Sequence, residues 1–131
     1  MKKIILDTNA YTRLLTGDEN VLDAVASADV VFMSIFVLGE LHAGFVGGSK
    51  ELKNRDVLKR FLLKASVKIL NATYETAEVF GSIKNSLTQA GTPLPINDVW
   101  IAAHGIETGS IVITYDAHFS KVPGLRLWER L

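Results

Sequence analysis

The chain has 131 residues, equal numbers of basic and acidic side chains, and no cysteine. The length predicts one domain, residues 1–131. The lack of cysteine excludes disulfides and Cys-ligated zinc, and the zero formal net charge leaves any attraction to a polyanion to a local basic patch. The opening apolar run ends at Asp7, too soon for a signal peptide, and no apolar stretch is long enough to span a bilayer. We therefore expect a soluble, cytoplasmic protein.

Short apolar segments alternate with longer amphipathic ones along the chain. In chain order, we predict a strand over Lys2–Leu6, helices over Thr8–Leu15 and Asn20–Ser27, a strand over Val30–Met33, helices over Ile35–Val46 and Lys50–Ala65, a strand over Val67–Leu70, helices over Thr73–Ala90 and Asp98–Thr108, and strands over Ile111–Thr114 and Leu125–Leu127. Ser34, Ser49 and Asn97 are suited to cap the helices that follow them. Pro93 and Pro95 exclude regular helix from the loop before Asn97.

Alternation of apolar strands with helices predicts an α/β/α sandwich around a mostly parallel sheet of four to five strands. The crossovers in such a sheet are right-handed, so the carboxyl ends of its strands share one edge. Ligands bind in the crevice outside that edge. Polar residues just after the strands are therefore the candidates for a functional site.

Four acidic residues, remote from one another in the chain, are predicted to meet at this edge. Asp7 ends the first strand, and Asp116 lies two residues past the fourth. Glu40 lies within an apolar helix, and Asp98 lies in the first turn of another, where the helix dipole favours negative charge. Clustered carboxylates repel one another, and a hard divalent cation such as Mg²⁺ or Mn²⁺ relieves that repulsion. This chemistry indicates phosphodiester hydrolysis assisted by a metal ion.

Each acid also has an ordinary structural interpretation. Asp7 can cap the helix that begins at Thr8, and Asp98 can be a first-turn acid held by the helix dipole. Glu40 can pair with a basic side chain, and Asp116 can be a turn residue. The joint placement of the four at one edge favours the metal site over these separate roles.

Four segments resemble the motifs of the PIN-domain family, in particular the VapC-type toxins of toxin–antitoxin pairs. The segments are Ile5-Leu6-Asp7-Thr8-Asn9, Ser34 to Leu41 around Glu40, Pro95 to His104 around Asp98, and Ile113 to Phe119 around Asp116, followed by Val122 to Leu125. They occur in the family's order and cover nearly the whole chain. Four motifs in order are far more specific than any one alone.

The resemblance implies a PIN-like α/β/α sandwich and an endoribonuclease that depends on Mg²⁺ or Mn²⁺. It also implies an RNA substrate, inhibition by a small VapB-type antitoxin, and a homodimer. By position, Asp7, Glu40, Asp98 and Asp116 take the catalytic and metal-binding roles, of which that of Asp116 is the least constant in the family. Asn9 and Thr114 take supporting polar roles.

Several other residues remain open to two interpretations. The basic stretch from Ser49 to Lys64 can follow an RNA backbone, or it can be the solvated face of a helix. Arg13 can bind substrate phosphate or serve only at the surface. For His118, near Asp116, a structural or surface role is favoured over contact with substrate. Trp100 is expected in the core or at a dimer interface rather than stacked on a base.

Three alternative functions keep some of these features. One is an RNA-processing PIN nuclease that is not a toxin, and another is a catalytically silent module that binds RNA or protein. A third is an aspartyl-phosphate enzyme with Asp7 as the nucleophile. Phosphatases of the haloacid-dehalogenase type require a second acid two residues on, where this chain has Asn9, so that alternative is disfavoured.

Overall fold

A computed structural model describes residues 1–129 of the chain. The strands are β1 (Lys3–Leu6), β2 (Val30–Ser34), β3 (Val67–Leu70), β4 (Ile111–Ile113) and β5 (Arg126–Leu127). The helices are α1 (Thr8–Leu15), α2 (Glu19–Ser27), α3 (Ile35–Phe45), α4 (Glu51–Leu62), α5 (Tyr74–Ala90) and α6 (Ile96–Thr108), and a 3-10 helix covers Ala117–Lys121. The alternation predicted from apolar periodicity is therefore confirmed, with boundaries that differ by a few residues.

The five strands form one sheet in the order β3-β2-β1-β4-β5, and every neighbouring pair is parallel. The central strand β1 pairs Ile5 with Phe32 of β2 and with Val112 of β4. Ile4, Ile5 and Leu6 are fully buried, so both faces of β1 are covered. Because all strands run in one direction, their carboxyl ends meet at one edge, and the loops that follow β1, β2 and β4 converge there.

Helix α6 packs closely on the sheet at Gly105. A β-carbon on Gly105 would lie 2.8 Å from the Leu125 side chain and 3.0 Å from that of Val112. A larger residue there would require the Leu125 and Val112 side chains to shift, so the absence of a side chain lets this helix pack closely. The close packing holds the first turn of α6, with Asp98, at the carboxyl edge.

Two predicted helix caps are wrong. The N-cap of α6 is Pro95 rather than Asn97, and Asn97 lies inside the helix. Pro95 makes no side-chain cap, and the helix begins at Ile96, two residues before the predicted start at Asp98. Likewise the N-cap of α4 is Lys50 rather than Ser49. Glu51 supports that end instead, because its carboxylate accepts a hydrogen bond from the Gly47 backbone N–H.

Ser34 caps α3 as predicted, and its hydroxyl accepts a hydrogen bond from the Phe36 backbone N–H. Trp100 is half-buried, stacked between Phe36 and Phe80 with ring centroids 4.9 and 3.9 Å away. It thus belongs to the packing between helices α3, α5 and α6. Within residues 1–129, no helix has both the length and the apolar character that a bilayer crossing requires.

Candidate active site

A cleft of about 350 Å³ opens at the carboxyl edge of the sheet. Its walls come from the end of β1, from α3, from the start of α6 and from the loop after β4. The lining residues are Asp7, Thr8, Asn9, Glu40, Pro95, Ile96, Asn97, Asp98 and Asp116. The structure therefore brings the four acids singled out in the sequence to one cavity.

Asp7 is the most deeply buried of the four acids, with 5% of its surface exposed. One carboxylate oxygen caps α1 by accepting a hydrogen bond from the Ala10 N–H at 2.8 Å. The other accepts a hydrogen bond from the Thr114 hydroxyl. Burial raises the pKa of Asp7, the two hydrogen bonds partly oppose that rise, and the charges of Asp98 and Asp116 add to it. Asp7 is thus both a helix cap and a member of the acidic cluster.

Asp98 lies in the first turn of α6, with 20% of its side chain exposed. Burial raises its pKa, contact with His118 opposes the rise, and the charges of Glu40 and Asp116 reinforce it. The positive end of the α6 dipole is adjacent. A raised pKa in a cleft marks a carboxylate whose ionised form lacks a full complement of counter-charge, which is a feature of functional sites.

Glu40 lies on α3 and reaches the cleft beside the start of α1. Its Oε1 atom accepts a hydrogen bond from the Thr8 hydroxyl at 2.8 Å. None of the ion pairs formed within residues 1–129 involves Glu40, so the alternative of a basic partner has no support there. Within residues 1–129 its second oxygen has no hydrogen-bond partner, and Glu40 lines the cleft.

Asp116 and Asp98 are joined by an imidazole ring. His118 Nε2 lies 2.8 Å from Asp98 Oδ2, and His118 Nδ1 lies 2.7 Å from Asp116 Oδ1. The contact with Asp98 has hydrogen-bond geometry, whereas that with Asp116 is close in distance only. The His118 ring thus occupies the space between the two acids.

The sequence analysis favoured a structural or surface role for His118. The structure places its ring beside the acids Asp98 and Asp116. The signal was present but ambiguous, because His118 follows Asp116 by only two residues and their relative direction depends on the turn. The 3-10 helix Ala117–Lys121 settles it, since Asp116 caps that helix and accepts a hydrogen bond from the His118 N–H.

The predicted supporting residues lie in different surroundings. Thr114 is buried and donates to Asp7, while its oxygen accepts a hydrogen bond from the Asp116 N–H at 2.9 Å. Asn9 is exposed and lines the cleft. Arg13 does not line it. Its guanidinium stands 4.2 Å from the centroid of the Tyr115 ring and 3.7 Å from Asp18.

The cleft has the donor set of a site for a hard divalent cation. Ligand atoms of Asp98, Asp116 and His118 lie within 4.8 Å of one another, and Asp7 and Glu40 line the same cavity. Carboxylate oxygens are the ligands that Mg²⁺ and Mn²⁺ prefer. A cation there would also lower the raised pKa values of Asp7 and Asp98, because it supplies the counter-charge that burial withholds.

A fully parallel α/β sheet with an acidic cleft at its carboxyl edge defines the class of this domain, and residues 4–125 match the PIN domain family. The chain belongs to that family. It is similar to ribonuclease VapC2 of Rickettsia felis, at 27% identity over 133 aligned positions that cover 96% of this chain and 98% of the relative. It is also similar to ribonuclease VapC5 of Mycobacterium tuberculosis, at 26% identity over 92% of this chain and 87% of the relative.

Among solved structures, the fold is similar to that in DNA-bound VapBC from Salmonella typhimurium. The TM-score is 0.87, with 26% identity over 98% of both chains. A second likeness is to VapBC2 of Rickettsia felis bound to a promoter DNA fragment, with a TM-score of 0.83 and 25% identity over 96% and 97% of the two chains. Both agree with the expected PIN-like sandwich.

Proposed function

We propose that the protein is a metal-dependent endoribonuclease and acts as the toxin of a VapBC-type pair. The observation that carries this proposal is the convergence of Asp7, Glu40, Asp98 and Asp116 on one cleft of a PIN domain. Relatives matched over nearly the whole chain are named ribonuclease VapC, which supports RNA as the substrate. We also propose that residues 1–131 form one PIN domain, which the family match over residues 4–125 supports.

In this proposal the four acids hold Mg²⁺ or Mn²⁺, and Asp7 is the innermost ligand. When bound, the ion supplies an activated water and offsets charge on the scissile phosphate. The protein orients its carboxylates by hydrogen bonds, from Thr114 to Asp7 and from Thr8 to Glu40. In this proposal Asn9, which is exposed and lines the cleft, has a supporting polar role, with an amide that can donate to the RNA backbone. Arg13, which packs on Tyr115 outside the cleft, is a weaker candidate for phosphate binding.

The test is cleavage of total RNA by purified protein, followed by sequencing of the new RNA ends. We expect EDTA to abolish cleavage and Mn²⁺ to restore it, and the Asp98→Asn variant to be inactive although folded. Cleavage that persists in chelator would contradict the metal mechanism. A wild type that binds RNA without cutting it would instead favour the catalytically silent module.

The proposed protein partners are a small antitoxin and a second copy of the chain, and each has its own test. The similar structures are VapBC complexes, which supports a small VapB-type antitoxin as the partner of this chain. Growth arrest on expression, relieved by co-expression of an adjacent small gene, would distinguish a toxin from an RNA-processing nuclease. The homodimer stays a prediction that sedimentation analysis would test, and the cytoplasmic location stays a prediction consistent with the lack of cysteine.

A further inference from the structure

A second histidine, His104 on α6, is fully buried away from the cleft. Its Nδ1 atom lies 2.9 Å from the Ser34 hydroxyl oxygen, and its Nε2 atom lies 3.3 Å from the backbone carbonyl oxygen of Asn71. It does not line the acidic cavity. A buried, fully hydrogen-bonded imidazole that takes no part in the proposed chemistry calls for another explanation.

The hydrogen bonds define which nitrogen carries the proton. The Asn71 carbonyl can only accept, so Nε2 of His104 donates to it. Burial lowers the pKa of His104, which favours the neutral ring. The unprotonated Nδ1 then accepts from the Ser34 hydroxyl, whose oxygen in turn accepts the Phe36 N–H at 3.1 Å. Every polar atom in this chain of hydrogen bonds has a matched partner.

This chain of hydrogen bonds joins the two helices that carry Glu40 and Asp98. Ser34 is the N-cap of α3, and Glu40 lies six residues further along that helix, about 9 Å along its axis. His104 lies six residues after Asp98 on α6. A helix moves as a rigid unit over such a distance. A shift of α3 relative to α6 at the Ser34–His104 hydrogen bond would therefore also change the distance between the two carboxylates.

We propose that His104 is a positioning residue, whose neutral ring holds the capped end of α3 against α6 and thereby sets the spacing between Glu40 and Asp98. The inference rests on the proposed metal site. Metal ligands must be held to within a fraction of an ångström, and loss of the groups that support them costs about 10- to 100-fold in metal affinity. The stack of Phe36 on Trp100 joins the same helices but has no directional hydrogen bond.

Two substitutions separate the two hydrogen bonds of the ring. In His104→Asn the amide oxygen replaces Nδ1 and can still accept from Ser34. In His104→Gln the amide nitrogen replaces Nε2, so only the bond to Asn71 is kept. Ile101→Val, fully buried on the same helix, is the control for a packing change outside the hydrogen-bond chain.

The measurement is calorimetric titration of metal-free protein with Mn²⁺, with RNA cleavage recorded in parallel. We expect His104→Gln to weaken Mn²⁺ binding by about tenfold or more, and His104→Asn and Ile101→Val to stay close to wild type. In a Glu40→Gln background, His104→Gln should cause little further loss, because the effect acts through Glu40.

Equal Mn²⁺ affinity in His104→Gln and Ile101→Val overturns the inference, as does full additivity with Glu40→Gln. If His104→Gln does not fold, Ser34→Ala tests the same hydrogen bond from its other end, and unchanged Mn²⁺ affinity in that variant overturns the inference as well. Failure of the proposed function is distinct, because the wild type itself would then not bind Mn²⁺, or Glu40→Gln would leave binding unchanged.

Discussion

Replacing Asp7 with Asn should make the metal-free protein more stable while abolishing its activity. Asn keeps the cap of α1, because its amide oxygen can accept the Ala10 N–H as the carboxylate does. Its amide nitrogen can donate to the Thr114 hydroxyl oxygen, which has room for a second donor beside the Asp116 N–H. The substitution therefore removes a buried charge, but the Thr114 hydroxyl hydrogen loses the acceptor that Asp7 provides, which offsets part of the gain.

The expected gain follows from the burial of Asp7, which is 5% exposed and has a raised pKa. Each unit by which folding raises a carboxyl pKa costs about 1.4 kcal/mol once the group is ionised. The neutral hydrogen bonds of Asn are weaker than those of a carboxylate, which offsets part of this gain. We expect a net increase of roughly 1 kcal/mol in the free energy of unfolding, or a rise of about 3–5 °C in Tm for a domain of this size.

The stability difference between Asp7→Asn and the wild type should change with pH in a defined direction. With a folded pKa above the unfolded value, Asp7 contributes stability below the unfolded pKa, and this contribution is lost as pH rises through the folded pKa. The advantage of Asp7→Asn should therefore be small in acid and largest at neutral pH. Mn²⁺ at about 100 times its Kd should add about 2.7 kcal/mol to the free energy of unfolding of the wild type and nothing to that of the variant. In Mn²⁺ the wild type should therefore be the more stable of the two.

The assay is thermal denaturation in EDTA and in Mn²⁺ across this pH range. Asp23→Asn, an exposed substitution on α2 remote from the cleft, serves as the control and should change little under any condition. A variant that is less stable than wild type in EDTA at neutral pH would refute the reasoning, because it would mean that the hydrogen bonds of the carboxylate outweigh its burial.

The remaining predictions concern activity, packing and the imidazole bridge. Asp98→Asn should reduce cleavage of a labelled RNA by at least about a hundredfold in Mn²⁺, and a smaller loss would argue against its role as a ligand. Gly105→Ala should destabilise the fold by about 1–3 kcal/mol in urea denaturation, because the new methyl meets Leu125, whereas Gly81→Ala in open space on α5 should not destabilise it. His118→Ala should lower stability at neutral pH in EDTA, since it removes the group that opposes the raised pKa of Asp98; unchanged stability in chemical denaturation would contradict this.

Local patterns were sufficient to predict the elements of the fold and the edge at which the acids meet. The alternation of apolar strands and amphipathic helices gives a parallel sheet almost by necessity, because short apolar strands must be covered on both faces. In a parallel sheet, Asp7 and Asp116 reach the same edge whatever the details of packing. The predictions failed where a local signal was ambiguous, as with Asn97, a residue type that favours the N-cap position but lies inside a helix that begins directly after Pro95.

Only the tertiary structure decided which groups surround each carboxylate. Asp7 and Thr114 form a hydrogen bond although they lie 107 positions apart in the chain. His104 and Ser34, also joined by a hydrogen bond, lie 70 positions apart. His118 turned out to bridge two acids because a 3-10 turn, rather than a helix or a strand, follows Asp116. Periodicity specifies which face of an element is buried, but contacts between elements depend on side-chain directions and on distances of a few ångströms, which the linear order of residues does not contain.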